Sequence, residues 1–275
     1  MFGFNAFTSL KKIFATEVKA ETDQYYLSGV SRPLRDITDL PEVLQQCLSA
    51  SGYTGKENLI CCSVSWKEAF LKTANQQNWA PLVCKQVNFL PVPARIVYMR
   101  SKLMGVVPFG ARDKYQNGKG SMLIKLMNIF TLSDTKGKEM DVAELVTILA
   151  ETMLIPAYAL QPYISWRELD HYTLEGIIHD RGVSASGIFY FNKHNEFLRF
   201  ETSDRYYTDH GTFKKYKWIA YAGGYMERNG IRFPSEFRAV WKMPHEDYCY
   251  FKGKIDRLEN NIFDRAVSNT IDGSS

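Results

Sequence analysis

The chain has 275 residues, 45% of them hydrophobic, enough to bury a full core in one large domain. Thirty-four basic against thirty acidic side chains leave a formal net charge of +4, too mild and too evenly spread for a nucleic-acid track, so no nucleic-acid partner is expected. Aromatic residues make up 14% of the chain and point to a β-rich protein with an aromatic groove.

Residues 1–18 place Phe2, Phe7, Leu10, Phe14 and Val18 at helical spacing, with Lys11 and Lys12 between them. Two lysines are few for the basic face of a membrane-surface helix, so this N-terminal extension reads as a helix docked on the core in preference to a peripheral membrane contact. Residues 21–40 are polar, hold Ser28-Gly29 and Arg32-Pro33, and read as a connection. A short helix follows Leu40-Pro41, with Val43, Leu44 and Leu48 as its apolar side. From Asn58 the pattern turns to strands, with further extended stretches at 79–89 and 94–104. Asn117-Gly118 supplies the positive φ of a tight hairpin. Asp113 and Gly120 stand where a phosphate loop would need Gly and Ser or Thr, which excludes that motif.

The main helix is expected at 141–154, with Asp141 and Glu144 as a capping pair, Val142, Leu145, Val146, Leu149 and Met153 as one apolar stripe, and Pro156 ending it. Glu151 falls opposite that stripe, close to Glu144, in the last turn, where exposed carbonyls repel a carboxylate. It is therefore a candidate for a solvated side chain, a buried partner of an Arg, or a ligand-handling group. After Trp166 an antiparallel meander is expected, with strands at 171–179, 183–191, 197–203, 216–226, 231–242 and 248–257 and short connections rich in turn residues. Residues 1–40 are assigned to the N-terminal helix and connection, 41–260 to a single sheet domain and 261–275 to a polar tail.

No stretch carries a catalytic signature. His171 and His179, on one proposed strand, stand roughly 26 Å apart at the usual rise and cannot share a metal. Ser186 occupies the place of the second glycine in G-x-S-x-G, which removes a nucleophile elbow. The cysteines are five, Cys47, Cys61, Cys62, Cys84 and Cys249, and the adjacent pair would diverge on a strand. Reduced thiols in a cytoplasmic protein follow, with no metal and no cofactor. No apolar run approaches the roughly 20 residues of a membrane span, and residues 1–18 lack the order of a signal peptide. What remains is the aromatic set. Trp218 and Trp241, each about eleven residues from the Asn229-Gly230 turn, are expected as cross-strand neighbours, either as core or as the wall of a ligand site.

Tyr115 with Gly118 and Gly120, Ala150-Glu151 before Pro156, Trp166, Trp218, Gly230-Ile231-Arg232-Phe233-Pro234 and Trp241 appear in an order that resembles a bacterial protein family classed as a domain of unknown function, over residues 40–260. The resemblance implies an α+β fold in which a strongly curved antiparallel β-sheet, a half-barrel similar to LolA-type lipoprotein carriers, holds helices against its concave side. Such carriers use the concavity for acyl chains. The function expected is a noncatalytic protein that binds a lipophilic small molecule, with Tyr115, Trp166, Trp218 and Trp241 as walls and Glu151 or Arg232 as polar contacts. A hydrolase or isomerase using Glu151 as general base, and a protein-interaction module, are the alternatives.

Overall fold

The computed structural model describes residues 9–28, 34–53, 55, 59–72, 78–103, 105–209, 212–228 and 230–261. Phe2, Phe7, Asn58, Asn229, most of the Ser28-Gly29 to Arg32-Pro33 connection and the tail after residue 261 lie outside them. In chain order come α1 (Leu10–Ser28), α2 (Glu42–Ala50), β1 (Cys61–Leu71), β2 (Ala80–Pro81), β3 (Val83–Phe89), β4 (Ala94–Leu103), β5 (Val107–Gln116), β6 (Lys119–Leu126) and β7 (Phe130–Lys136). Then follow α3 (Lys138–Ala150), 3-10 turns at Glu151–Met153 and Pro156–Leu160, β8 (Ile164–Asp170), β9 (Thr173–Asp180), β10 (Val183–Phe191) and β11 (Phe197–Thr202). A small hairpin, β12 (Tyr206–Asp209) and β13 (Thr212–Lys215), precedes β14 (Lys217–Arg228), β15 (Ile231–Lys242) and β16 (Asp247–Asn260).

Among the described residues, fourteen strands form one antiparallel sheet, ordered β7, β6, β5, β4, β3, β1, β16, β15, β14, β11, β10, β9, β8, with β2 paired to β1 beside this path. The protein is thus α+β, with three α-helices among the described residues and a sheet assembled mostly from neighbours in sequence. The longest-range step joins the ends of the chain: β1 takes β3 on one edge and the last strand, β16, on the other. Tight turns fix the register elsewhere. Asn117 (φ 54°) and Gly118 (φ 75°) join Gln116 to Lys119 as a two-residue hairpin, because their positive φ matches the twist of the strands.

The sheet has a different apolar cluster on each face. Cys61 pairs with Phe89 and packs with Ile96, Tyr98 and the α1 residues Leu10, Ile13, Phe14 and Val18. Cys62, one residue on, faces the opposite way and joins the larger cluster around Leu145, Leu149, Phe189, Trp218 and Trp241. α1 and α3 therefore cover opposite faces, so the helices do not share one side of the sheet. α3 reaches both halves of the strand order, packing against β5, β6 and β7 and also against β9 and β10.

Four boundaries differ from the sequence pattern for physical reasons. α1 continues through the polar stretch to Ser28 because Tyr25 anchors it, stacking on Phe89 with centroids 5.6 Å apart and donating its hydroxyl to Val92 O at 3.0 Å. α3 begins at Lys138 behind Gly137, which makes no side-chain cap. Asp141 is not the cap: its carboxylate accepts from Gly120 N at 2.8 Å and Lys119 Nζ at 3.0 Å, tying β6 to the helix. The helix becomes 3-10 at Glu151, where the apolar stripe predicts a continuing α-helix. In the meander β8 precedes β9, which starts at Thr173, so His171 lies in the turn between them.

Candidate functional site

Glu151 is the first residue of the 3-10 turn that follows α3, and its carboxylate is turned toward β3 and β4. Arg95 on β4 donates Nε to its Oε1 at 2.9 Å, and Asn88 on β3 donates to its Oε2 at 2.7 Å. The same guanidinium donates Nη1 to Asp113 Oδ2 on β5 at 2.8 Å and lies 3.5 Å from Glu144 Oε2 on α3. One cation thus serves three carboxylates. Gln86 and Tyr158 extend the network through Asn88.

This cluster is buried, and burial decides its protonation. Burial and the neighbouring Asp113 raise the Glu144 pKa well above the usual carboxylate value, outweighing Arg95 and Arg205. Neither Glu144 oxygen accepts a hydrogen bond, a cost a neutral acid bears far more cheaply than an anion. Burial opposes the charge on Arg95, but Glu151 and Asp113 push its pKa up and hold it cationic. Asp113 shares strand parity with the buried Tyr115, and Arg95 with the buried Val97. That parity was the sequence signal for Arg95 and Asp113, which no motif marks.

The other residues singled out from sequence separate into distinct settings. Tyr115 is fully buried and donates its hydroxyl to Asp180 Oδ2 at 2.9 Å, linking β5 to β9. Trp166 on β8 donates Nε1 to Ala159 O at 3.0 Å and packs edge-on against Phe189. Trp218 and Trp241 are direct cross-strand partners on β14 and β15. Trp218 donates Nε1 to the Tyr250 hydroxyl at 3.2 Å, and Trp241 stacks with Tyr250 and meets Tyr207 edge-on. Arg205 lies over the Trp218 ring at 4.6 Å and donates to Ala143 O at 2.9 Å, so the tryptophan wall reaches α3 through this residue. Arg232 pairs with Glu196, sits over the Tyr225 ring and borders a void of about 20 Å³ beside Cys47 and Phe197. The structure brings Trp218 and Trp241 together and holds Glu151 against Arg95 on β4 and Asn88 on β3.

A larger cavity, about 160 Å³, lies between the α3-bearing face of the sheet and the segment after α3. Leu154 and Ile155 form one wall; Cys62, Phe233 and Leu258 form the other, and Arg228 and Asn260 stand among the lining residues. An apolar cavity of ~150 Å³ is enough for a benzene-sized group. It is smaller than the ~300–1,000 Å³ of whole-ligand pockets, and its lining is mixed polar and apolar. Arg228 is exposed and donates Nη1 to Asp256 O at 2.8 Å. Cys62, in the cavity wall, has its thiol pKa pushed up by burial and is a poor nucleophile.

Residues 38–259 match the model of a family of unknown function, DUF6920. No curated protein matches the sequence. Among solved structures the chain is similar to the crystal structure of a LolA superfamily protein from Nitrosomonas europaea, at 8% identity and a TM-score of 0.45, over 82% of this chain and 96% of that one.

Proposed function

We propose that this chain, which belongs to the DUF6920 family of unknown function, is a noncatalytic binding protein that takes an apolar or amphipathic small molecule on the α3-bearing side of its sheet. The observation that carries this reading is the 160 Å³ cavity, whose amphipathic lining joins apolar side chains such as Leu154, Ile155 and Phe233 to the polar Arg228 and Asn260. We read the sheet as a strongly curved half-barrel around α3. Support comes from α3 touching strands of both halves of the sheet order, and from the Tyr115–Asp180 hydrogen bond between them. The five cysteines are unbridged, which suits a reducing compartment such as the cytoplasm.

A general-base role for Glu151 has one supporting observation, Arg95 within hydrogen-bonding reach. Both Glu151 oxygens already accept from Arg95 and Asn88, which favours a structural ion pair over a poised base. Native mass spectrometry of delipidated protein after incubation with a lipid extract tests the binding reading. A retained ligand, displaced in Ala157→Phe protein that still unfolds cooperatively, is the expected result. Empty protein across several extracts overturns it.

A further inference from the structure

Among the described residues, five large apolar side chains are more than half exposed, and all five lie together: Val106, Met127, Ile129, Phe130 and Leu132. Val106 (77% exposed) stands in the β4–β5 turn and Phe130 (61%) begins β7 after the β6–β7 turn. These turns are neighbours, because Met127 N donates to Pro108 O at 2.8 Å. A register shift at Ile124/Lys125 pairs those residues with Ser133 and Thr131, so Leu132 between them has no opposite residue.

Basic groups lie beside this apolar tip. Arg100 pairs with Val83 and Gly110, and Lys102 pairs with Pro108, on the face that carries α1. α1 begins at Leu10, close against Gly110, where an added Cβ would stand 3.1 Å from Leu10 Cδ1. Beyond that point a cleft of about 960 Å³ is lined by Trp79, Pro81, Val83, Pro108, Arg100 and Lys102, among other residues, and by no acidic side chain among the described residues. Lys85, one turn of the pleat along β3 from Val83, has its ammonium pKa lowered by burial and then by Lys11 and Arg100.

We propose that this end of the sheet docks on an anionic lipid membrane, with the β4–β5 and β6–β7 turns entering the interface and Arg100 and Lys102 meeting lipid phosphates. The apolar groups project from turns, a shape suited to a deformable layer of acyl chains, and the cations beside them match phosphates at its surface. A second copy seated here would bring the same basic cluster against itself across a twofold axis. The α1 stripe is not the membrane contact, since Leu10, Ile13, Phe14 and Val18 are buried against the sheet. The proposal is independent of what occupies the 160 Å³ cavity.

Flotation of the full chain with vesicles of phosphatidylcholine alone, or containing about 30% phosphatidylserine, tests it. Binding to the anionic vesicles at least ~10-fold stronger is expected, weakening with salt. Arg100→Gln with Lys102→Gln should weaken it roughly 30-fold, and Ile129→Asp with Phe130→Asp should remove it, while Arg257→Gln changes little. All variants are exposed positions, and cooperative thermal unfolding confirms that each is folded. Equal binding to both vesicles, or tip variants that float like the parent, overturns the proposal. So does a loss of binding on removal of residues 1–8 when the tip variants are unaffected. A dimer that Ile129→Asp with Phe130→Asp dissociates, in protein that does not float, assigns the patch to a second copy and also overturns it.

Discussion

Tyr115 donates its hydroxyl hydrogen to Asp180 across 2.9 Å, although β5 and β9 stand in opposite halves of the sheet order. Beside it, Gly118 of the β5–β6 turn lies against Arg181, where an added Cβ would come within 2.9 Å of Arg181 Cβ. Two hairpin tips distant in strand order are thus in contact next to α3. Burial and the adjacent Asp180 both raise the Tyr115 pKa, keeping the phenol protonated as a donor.

Tyr115→Phe removes this hydrogen bond and leaves its acceptor behind. A bond to a charged group contributes about 1.5–3 kcal/mol net, and the variant should lose that much stability in urea unfolding without a change of fold. A loss within ~0.5 kcal/mol would mean that the tips are held together by packing alone.

The register of this sheet was legible wherever turn chemistry and alternation agreed. Counting back from Asn229-Gly230 paired Trp218 with Trp241, and β10, β11 and β15 fell within a residue of their expected bounds. β7 and the β12–β13 hairpin escaped because their apolar residues do not alternate with a buried face, and β7 is mostly exposed. α3 showed only a stripe in sequence. It is buried nearly all round, Met140, Ala143, Glu144 and Ile148 included, because strands of both halves of the sheet close on it. Glu151 stood out locally, but its partners Arg95 and Asn88 come from two other strands, a juxtaposition that no spacing along one element reveals.

Glu144 gives the fold a pH dependence. Its pKa is raised in the folded state, first by burial and then by Asp113, above the ordinary glutamate value of 4.5. Above about pH 4.5 the unfolded chain loses this proton while the native state retains it, so native protein binds more protons and stability falls as pH rises toward the folded value. This contribution is complete below the unfolded pKa and is lost upward. Glu144→Gln cannot titrate and keeps a donor facing Asp113. Its stability relative to the parent should therefore increase between pH 5 and pH 8 by roughly 1 kcal/mol or more, since a tenfold difference in proton affinity between folded and unfolded chain is worth about 1.4 kcal/mol. A pH-independent difference in urea unfolding would contradict a protonated Glu144.

Gly120 marks the closest approach of β6 to α3. A Cβ there would lie 2.3 Å from Met140 O and 2.7 Å from Met140 C, both backbone atoms of the first helical turn. Backbone cannot rotate away, so the strand and helix must separate and the Gly120 N to Asp141 bond must stretch. Gly120→Ala should cost about 1–3 kcal/mol, a fall in Tm of roughly 2–4 °C per kcal/mol for a domain of this size. Gly223→Ala, with nothing within 4 Å of the new methyl, is the matched control and should leave Tm nearly unchanged.

Thiol reactivity reports on the cavity wall. Burial pushes the thiols of Cys47 and Cys84 up to about 12, and raises Cys62 as well. Only the thiolate is nucleophilic, so at pH 8 these three are almost wholly unreactive while folded. Cys249 is also raised by burial, but it sits partly exposed on β16 near Arg238 and Lys252, which favour its thiolate. Brief treatment of native protein with iodoacetamide, followed by peptide mass spectrometry, should label Cys249 ahead of Cys47, Cys62 and Cys84, which react only after denaturation. Cys62 faces the 160 Å³ cavity from β1, so its labelling rate also measures how often that space opens to solvent. A ligand seated there should slow Cys62 further and leave Cys249 unchanged. Rapid labelling of Cys62 in the native state would show that the space between the sheet and Leu154–Ile155 opens to solvent often, and that burial does not protect this thiol.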